Sequence, residues 1–135
     1  MKQIIDQLAT NTESMQFAPP VAYVYNPLVY ARKPFDQYCR KYGSGTKEAV
    51  FLGMNPGPWG MAQTGVPFGD VTMVRGWLAI EDAVSSPLNQ HPKRPVLGFG
   101  CARGEVSGRR LWGWARDRFG TAHRFFERFW VANYC

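Results

Sequence analysis

The sequence predicts an α/β fold in which helices flank a central parallel β-sheet. Helical and strand-like patterns alternate along the chain, which is the order of elements that a parallel sheet requires. The run Ala49–Leu52 is apolar without alternation, as in strands buried on both faces of a parallel sheet, and Phe129–Val131 has the same character. With 135 residues, of which 45% are hydrophobic, the chain has the length and core of one domain.

The first half of the chain predicts two helices. The N-terminal helix follows from the helical spacing of three apolar residues, Ile4, Leu8 and Met15. The pair Pro19-Pro20 ends it, and the apolar residues of 21–25 then alternate in a run that Asn26-Pro27 breaks. Pro34 suits the first turn of a second helix, which Gly43 stops.

The second half predicts two strands and two more helices. A buried strand over Glu48–Leu52 leads into a long loop, Gly53–Gly69. Asp70 caps a helix that contains Val71, Val74 and Leu78. Residues 82–106 are rich in proline and glycine and form a loop, and a helix capped by Ser107 then closes at Gly120. The second strand, at Phe129–Val131, follows.

Composition excludes several classes of protein. No apolar run approaches the roughly 18 residues that a membrane span needs, and the N-terminus lacks the apolar core of a signal peptide. We therefore expect a cytoplasmic protein if the source is bacterial and a nuclear one if it is eukaryotic. Three cysteines, Cys39, Cys101 and Cys135, form no C-x-x-C pair, which predicts free thiols and no iron–sulfur cluster. Ligand spacing for a metal is also missing, so we expect no cofactor.

The positive charge is confined to the last third of the chain. Residues 1–90 carry seven basic and seven acidic side chains, whereas residues 91–135 carry nine basic and three acidic ones, so the whole net charge of +6 lies there. Aromatic residues are interleaved with these arginines, a composition typical of nucleic-acid binding. We expect Arg109, Arg110 and Arg116 to contact DNA phosphates; the alternative is a basic helix face that is merely solvated.

The loop Gly53–Gly69 is the most informative segment. It holds five glycines and three prolines and leaves the carboxyl end of a buried strand, where α/β sheets bind ligands. It is not a phosphate-binding P-loop, because no Gly-Lys-Ser/Thr is present. Asn55 and Phe68 lie in it, and Asn133 follows the second strand. If the strands are parallel, these side chains meet at one sheet edge, where two amides and an aromatic ring suit a nucleobase. A turn asparagine and a core phenylalanine remain the simpler alternative.

The loop closely resembles the first signature of the single-strand-selective monofunctional uracil-DNA glycosylases, a branch of the uracil-DNA glycosylase superfamily. The resemblance runs through almost everything after residue 20. Further matching segments are Tyr25-Asn26-Pro27-Leu28, Tyr30-Ala31, His91-Pro92-Lys93-Arg94-Pro95-Val96-Leu97-Gly98, Glu105-Val106-Ser107-Gly108 and Asn133-Tyr134-Cys135.

The resemblance implies a role for each site residue. Asn55 is the catalytic residue that positions the attacking water, and Phe68 is the ring that stacks on a base flipped out of the DNA. Asn133 reads the edge of the pyrimidine, and the backbone of Met54 and Gly57 lines the pocket. We expect the Asn133 amide to be held by a hydrogen bond to backbone near the strand end.

The resemblance also implies the activity: monofunctional, hydrolytic excision of uracil from single- or double-stranded DNA, which begins base excision repair. It leaves open whether 5-substituted uracils are also removed. An amide is a poor general base, so the bond to the base should break largely before water attacks. At full length we expect a monomer without membrane contact. The alternative function is a non-catalytic module that binds single-stranded nucleic acid.

One feature of that family is missing from the sequence. In that family, a catalytic histidine lies in a His-Pro-Ser-Pro-like loop near the C-terminus, beside a segment that wedges into the DNA. His91 belongs to a different segment of the resemblance, and His123 is expected to be exposed. We therefore expect residues 1–135 to form a single glycosylase-like domain whose C-terminal part, with the histidine motif, is missing.

Overall fold

The protein is built from seven α-helices and two β-strands over residues 2–134, the part of the chain that this computed structural model describes. The elements are α1 (Lys2–Glu13), α2 (Pro27–Tyr30), α3 (Arg32–Tyr42), β1 (Ala49–Gly53), α4 (Met61–Thr64), α5 (Val71–Gly76), α6 (Val106–Phe119), α7 (Ala122–Arg128) and β2 (Phe129–Asn133), with a short 3-10 helix at Gly98–Gly100 before α6. No helix within these residues is long and apolar enough to cross a membrane.

The two strands pair in parallel, as the sequence predicts. The register sets Ala49 opposite Phe129 and ends with Gly53 opposite Asn133. Each strand is slightly displaced from its predicted bounds, and β2 extends through Asn133, which was expected to follow it. The described residues thus form an α/β arrangement with a two-stranded sheet, and a larger central sheet is not shown.

Strand β1 is less buried than its apolar sequence predicts. Phe51 packs against the core, but Val50 and Leu52, on the opposite face, are 59% and 64% exposed. The expectation of a strand buried on both faces is therefore wrong for this part of the chain. That expectation assumed a sheet packed on both faces. Here aromatic residues of α6 and α7 pack against the face that carries Phe51.

Aromatic side chains form the core between the sheet and the helices. Phe125 and Trp112 are fully buried and meet edge to face. Tyr38 of α3 stacks on Trp130 of β2 and donates a buried hydrogen bond of 2.8 Å from its hydroxyl to the Val131 carbonyl. Burying a tyrosine requires such a partner, so this bond fixes α3 against β2.

Two helices differ from their predicted form. Helix α1 exists, but it ends at Glu13, and its buried residues are Ile5 and Ala9 rather than the predicted apolar stripe. Helix α6 has Glu105 as its N-cap, not Ser107, because the Glu105 backbone N–H is bound to a buried carboxylate from elsewhere in the chain. The closure of α6 at Gly120 is confirmed.

Some local predictions hold and others miss an element. Asp70 caps α5 by accepting from the Met73 N–H at 3.2 Å, as expected. The alternating residues of 21–25 form no strand; the Tyr25 hydroxyl instead donates to the Arg94 carbonyl. The sequence reasoning missed α2, α4 and α7, all helices of seven residues or fewer.

Candidate active site

Two of the predicted site residues, Phe68 and Asn133, meet beside Gly53 at the end of the sheet. Gly53 is paired with Asn133, and the Tyr134 N–H donates to the Gly53 carbonyl at 2.8 Å. A Cβ placed on Gly53 would collide with the Asn133 amide oxygen and lie 2.8 Å from the Phe68 ring. The ring and the amide therefore converge above the Gly53 Cα, and only glycine leaves room for both.

Phe68 is held in a backbone conformation that side chains rarely adopt. Its φ is +53°, in the left-handed region, which costs roughly 1–2 kcal/mol for a residue other than glycine. The fully buried Trp112 of α6 donates from Nε1 to the Phe68 carbonyl at 2.8 Å, and the Asp70 N–H donates to the same oxygen at 2.8 Å. Gly108 allows α6 this close, since a Cβ there would strike the Phe68 carbonyl. Strain of this kind, held by surrounding contacts, is typical of functional sites.

The buried carboxylate of Asp70 connects this turn to two helices. One oxygen caps α5 at Met73, and the other accepts from the Glu105 N–H and from Arg109 Nε, both at 3.0 Å. Burying a polar side chain is costly unless it has such hydrogen-bond partners. Asp70 therefore fixes the end of the Gly53–Gly69 loop to the start of α6.

Asn55 lies two residues beyond Gly53 on the exposed part of the loop. Its Nδ2 donates to the Pro56 carbonyl at 3.1 Å, and its Oδ1 accepts no hydrogen bond from the described residues. The amide is thus oriented with its oxygen available as an acceptor. No hydrogen bond joins this side chain to Asn133 or to the Phe68 backbone, and the grouping of all three stays a prediction.

The Asn133 amide is oriented by a methionine, contrary to the expected backbone partner. Its Nδ2 donates to the Met61 sulfur at 3.3 Å, and its Oδ1 faces Gly53. Met61 is the first residue of α4, a helix of a single turn that ends at Gly65, whose φ is +73°. Asn133 also borders a cavity of about 390 Å³ that is lined mainly by residues of α1 and of 15–28, together with Pro56, Met61, Pro67 and β2; neither Phe68 nor Asn55 lines it.

The other two predicted pocket residues differ in their surroundings. Met54 is 84% exposed, and the pocket role expected of its backbone stays a prediction. Gly57 lies against the Glu105 carboxylate, as does Gly60, because a Cβ on either would collide with that side chain. Sequence reasoning gave Glu105 no role of its own. Its position could not be read from the sequence, since it depends on how α6 meets the loop.

The arginines predicted to contact DNA lie on the outer side of α6. Arg109 is 59% exposed and paired with Asp70, and Arg116 pairs with its neighbour Asp117 at 3.1 Å. Arg110 is exposed and forms no ion pair within residues 2–134. Their contact with phosphates stays a prediction.

Neither histidine lies in the site. The His91 ring packs on Tyr23, and its Nδ1 accepts from the Lys93 N–H at 3.0 Å. His123 is exposed, as expected, and lies 5.3 Å from the Tyr42 ring. Within residues 2–134, therefore, no histidine is placed to donate to a base at Phe68.

The cysteines are partly described. Cys39 is half-buried and Cys101 buried, and both are free thiols, as predicted; Cys135 lies outside the described residues. Burial, with a contribution from the nearby Asp36 carboxylate, raises the pKa of the Cys39 thiol to about 11. Over the same span, no three His, Cys, Asp or Glu side chains are grouped as metal ligands.

Comparison with known proteins identifies close relatives. The chain is 52% identical over 132 residues to the single-strand selective monofunctional uracil-DNA glycosylase of Rattus norvegicus, and 50% and 49% identical to the proteins of that name from Mus musculus and Bos taurus. Each alignment covers 96% of this chain but only 47–48% of the relative, so the chain spans about half the length of the curated relatives it matches. No protein-family model matches the chain. The resemblance seen in the sequence is confirmed.

Proposed function

We propose that this protein is a DNA repair enzyme that flips uracil out of DNA and excises it by hydrolysing the N-glycosidic bond. The observation that supports this most directly is the convergence of the Phe68 ring and the Asn133 amide over Gly53. An aromatic face beside an amide is what a flipped pyrimidine needs for stacking and for hydrogen bonding along its edge. The relatives are named for this activity.

Base recognition is divided between the two side chains. Stacking on Phe68 contributes about 1–3 kcal/mol per base and does not distinguish between bases. Asn133 supplies the discrimination, because one amide can accept from uracil N3–H and donate to O4. Met61 holds the Nδ2 group, so the amide is not free to rotate toward the opposite pattern that cytosine presents.

Bond cleavage follows from the chemistry of Asn55. Its amide cannot take up a proton near neutral pH, so it cannot generate hydroxide. The bond between C1′ of the sugar and N1 of uracil therefore breaks first, and its electron pair leaves with the base as a uracil anion. Water held by the free Asn55 Oδ1 then adds to the cation-like C1′ and loses its proton to solvent or to the departing base. The contribution of Asn55 is placement, which can supply a large part of the rate.

Release of uracil from a single-stranded oligonucleotide by the full-length protein tests the proposal. We expect Asn55→Ala to lose turnover while keeping affinity for uracil-containing DNA. Asn133→Asp should shift preference toward cytosine, because a carboxylate accepts from the N4 amino group but repels uracil O4. Asn89→Ala, at an exposed loop position, is the matched control and should behave as wild type.

Two outcomes would contradict the proposal. DNA binding without any base release by the full-length protein would favour the non-catalytic single-strand binder. If Asn55→Ala instead lost affinity for the base, or Asn133→Asp preferred uracil as before, the two asparagines would have other roles. The same assay with 5-hydroxymethyluracil determines whether 5-substituted uracils belong to the substrate class.

A further inference from the structure

We propose that Arg94 and Arg103 bind DNA phosphates beside the excised nucleotide. Both lie against the ring of Trp59, in the loop Gly53–Gly69, which we call the site loop. The inference rests on the proposed action on DNA and names a contact surface for it. This surface is distinct from the arginines of α6 that the sequence singled out.

The geometry places two guanidinium groups on one aromatic ring. The centre of the Arg103 guanidinium lies 4.4 Å from the Trp59 centroid, and that of Arg94 lies 5.2 Å from it. Trp59 belongs to the site loop, four residues after Asn55. The surface therefore belongs to the same loop as the residue proposed to hold the attacking water.

A buried glutamine fixes the segment that carries Arg94 onto the site loop. Gln63, which is almost completely buried, donates from Nε2 to the carbonyls of Pro58 and Pro95, at 2.9 and 3.0 Å. Its Oε1 accepts from the Leu97 N–H at 2.7 Å. Both polar atoms of the Gln63 amide are thus bonded to backbone, and the amide joins residue 58 to residue 95. The neighbouring residues Trp59 and Arg94 are thereby brought into contact.

Neither arginine of this surface is held in an ion pair within residues 2–134. Both side chains are on exposed residues, and neither forms an ion pair there, whereas Arg109 and Arg128 each pair with a carboxylate. The Glu105 carboxylate lies against Gly57 and Gly60, on either side of Trp59, accepts from the Ser107 hydroxyl and forms an ion pair with neither arginine. Two like charges on one ring lie within about one Debye length, ~10 Å at 0.1 M salt, and repel each other. An anion between or beside them relieves that repulsion.

The ring contact suits phosphate in particular. A guanidinium that packs its face on an aromatic ring still directs its N–H donors outward in its own plane. Those donors match the oxygens of a phosphate in a paired, charge-assisted arrangement. Arg94 uses one donor for the Lys93 carbonyl at 3.1 Å, which orients the group and leaves its other donors available.

The test is the salt dependence of binding to a fluorescein-labelled single-stranded oligonucleotide with one uracil, followed by anisotropy between about 50 and 200 mM salt. In the full-length protein, Arg94→Gln with Arg103→Gln should reduce the slope of log K against log salt by about 0.7 per lost phosphate contact. Lys33→Gln with Arg40→Gln removes the same charge from exposed positions on α3, outside the basic last third, and should leave the slope nearly unchanged.

An unchanged slope in the Arg94 and Arg103 variant, or an equal change in the control variant, would overturn the inference. Thermal unfolding checks that the double variant is folded; if it is not, the single variant Arg103→Gln replaces it, with an expected reduction of about 0.7. Uracil release by the wild-type protein is measured in parallel. If it is absent while the slope still falls in the variant, the proposed excision fails and the phosphate surface stands.

Discussion

Replacing Gly53 by alanine adds one methyl group at the point where the base-reading side chains meet. That methyl would collide with the Asn133 Oδ1 atom and lie 2.8 Å from the Phe68 ring. Neither neighbour can yield easily. The Asn133 amide is held by Met61, and the Phe68 backbone is held by Trp112. We therefore expect Gly53→Ala to displace the amide, the ring or both from the positions that recognise uracil.

The expected loss follows from the contacts. Leaving the polar edge of a buried uracil unpaired costs about 1–3 kcal/mol. At about 1.36 kcal/mol per tenfold change, kcat/KM for uracil release should fall about 5- to 150-fold. Overpacking should also lower stability by about 1–3 kcal/mol, which lowers Tm by several degrees.

The assay is steady-state release of uracil from a single-stranded oligonucleotide, well below the Tm of the variant, so that lost stability does not imitate lost activity. Gly113→Ala is the matched control, since a Cβ at this position in α6 meets no atom within 4 Å. It should raise Tm slightly, because alanine is favoured over glycine in a helix by about 1 kcal/mol, and should leave excision unchanged. Wild-type excision by Gly53→Ala would show that the base is not read above Gly53.

Two further predictions concern groups that support the site, and a third concerns the Cys39 thiol. Trp112→Phe keeps most of the buried ring but removes the donor to the Phe68 carbonyl, so kcat/KM should fall several-fold, with about 1–3 kcal/mol lost in urea unfolding. Asp70→Ala removes the α5 cap at Met73 and the link to α6, and should lower the free energy of unfolding by about 2–4 kcal/mol. If Asp70 formed only a solvated ion pair with an arginine, the loss would be under about 1 kcal/mol. With its pKa raised to about 11, the Cys39 thiol should react with a thiol reagent much more slowly at pH 8 than a peptide cysteine, and its contribution to stability should be lost as pH rises from about 8.5 through 11.

The sequence predicted those features that depend on one residue type at one position. Asp70 caps α5 with its carboxylate and Gly120 ends α6 at φ +73°, so each has a local hydrogen-bonding or conformational reason for its place. Gly43 ends α3 as predicted, with a φ of −84°. The convergence of Phe68 and Asn133 was also predictable, since it needs only two parallel strands and the length of the loop between them.

The features that were missed depend on contacts between distant segments. Ser107 is a good N-cap by type, but the N-cap of α6 is Glu105, whose backbone N–H donates to Asp70, far away in sequence. The support of Phe68 by Trp112 has the same origin. No local pattern in the sequence signals either contact, because a tryptophan at helical spacing is indistinguishable from ordinary core.

The glycines of the site loop are better explained by close packing than by mobility. The Glu105 carboxylate lies against Gly57 and Gly60, and the Asn133 amide lies against Gly53. At each of these glycines, a Cβ would occupy space that the neighbouring side chain already fills. A loop packed in this way gives up conformational freedom when the protein folds, not when substrate binds. An enzyme whose amide cannot act as a base depends on placing a water and a base with accuracy. Close packing at Gly53, Gly57 and Gly60 therefore favours a loop whose shape is set before substrate binds.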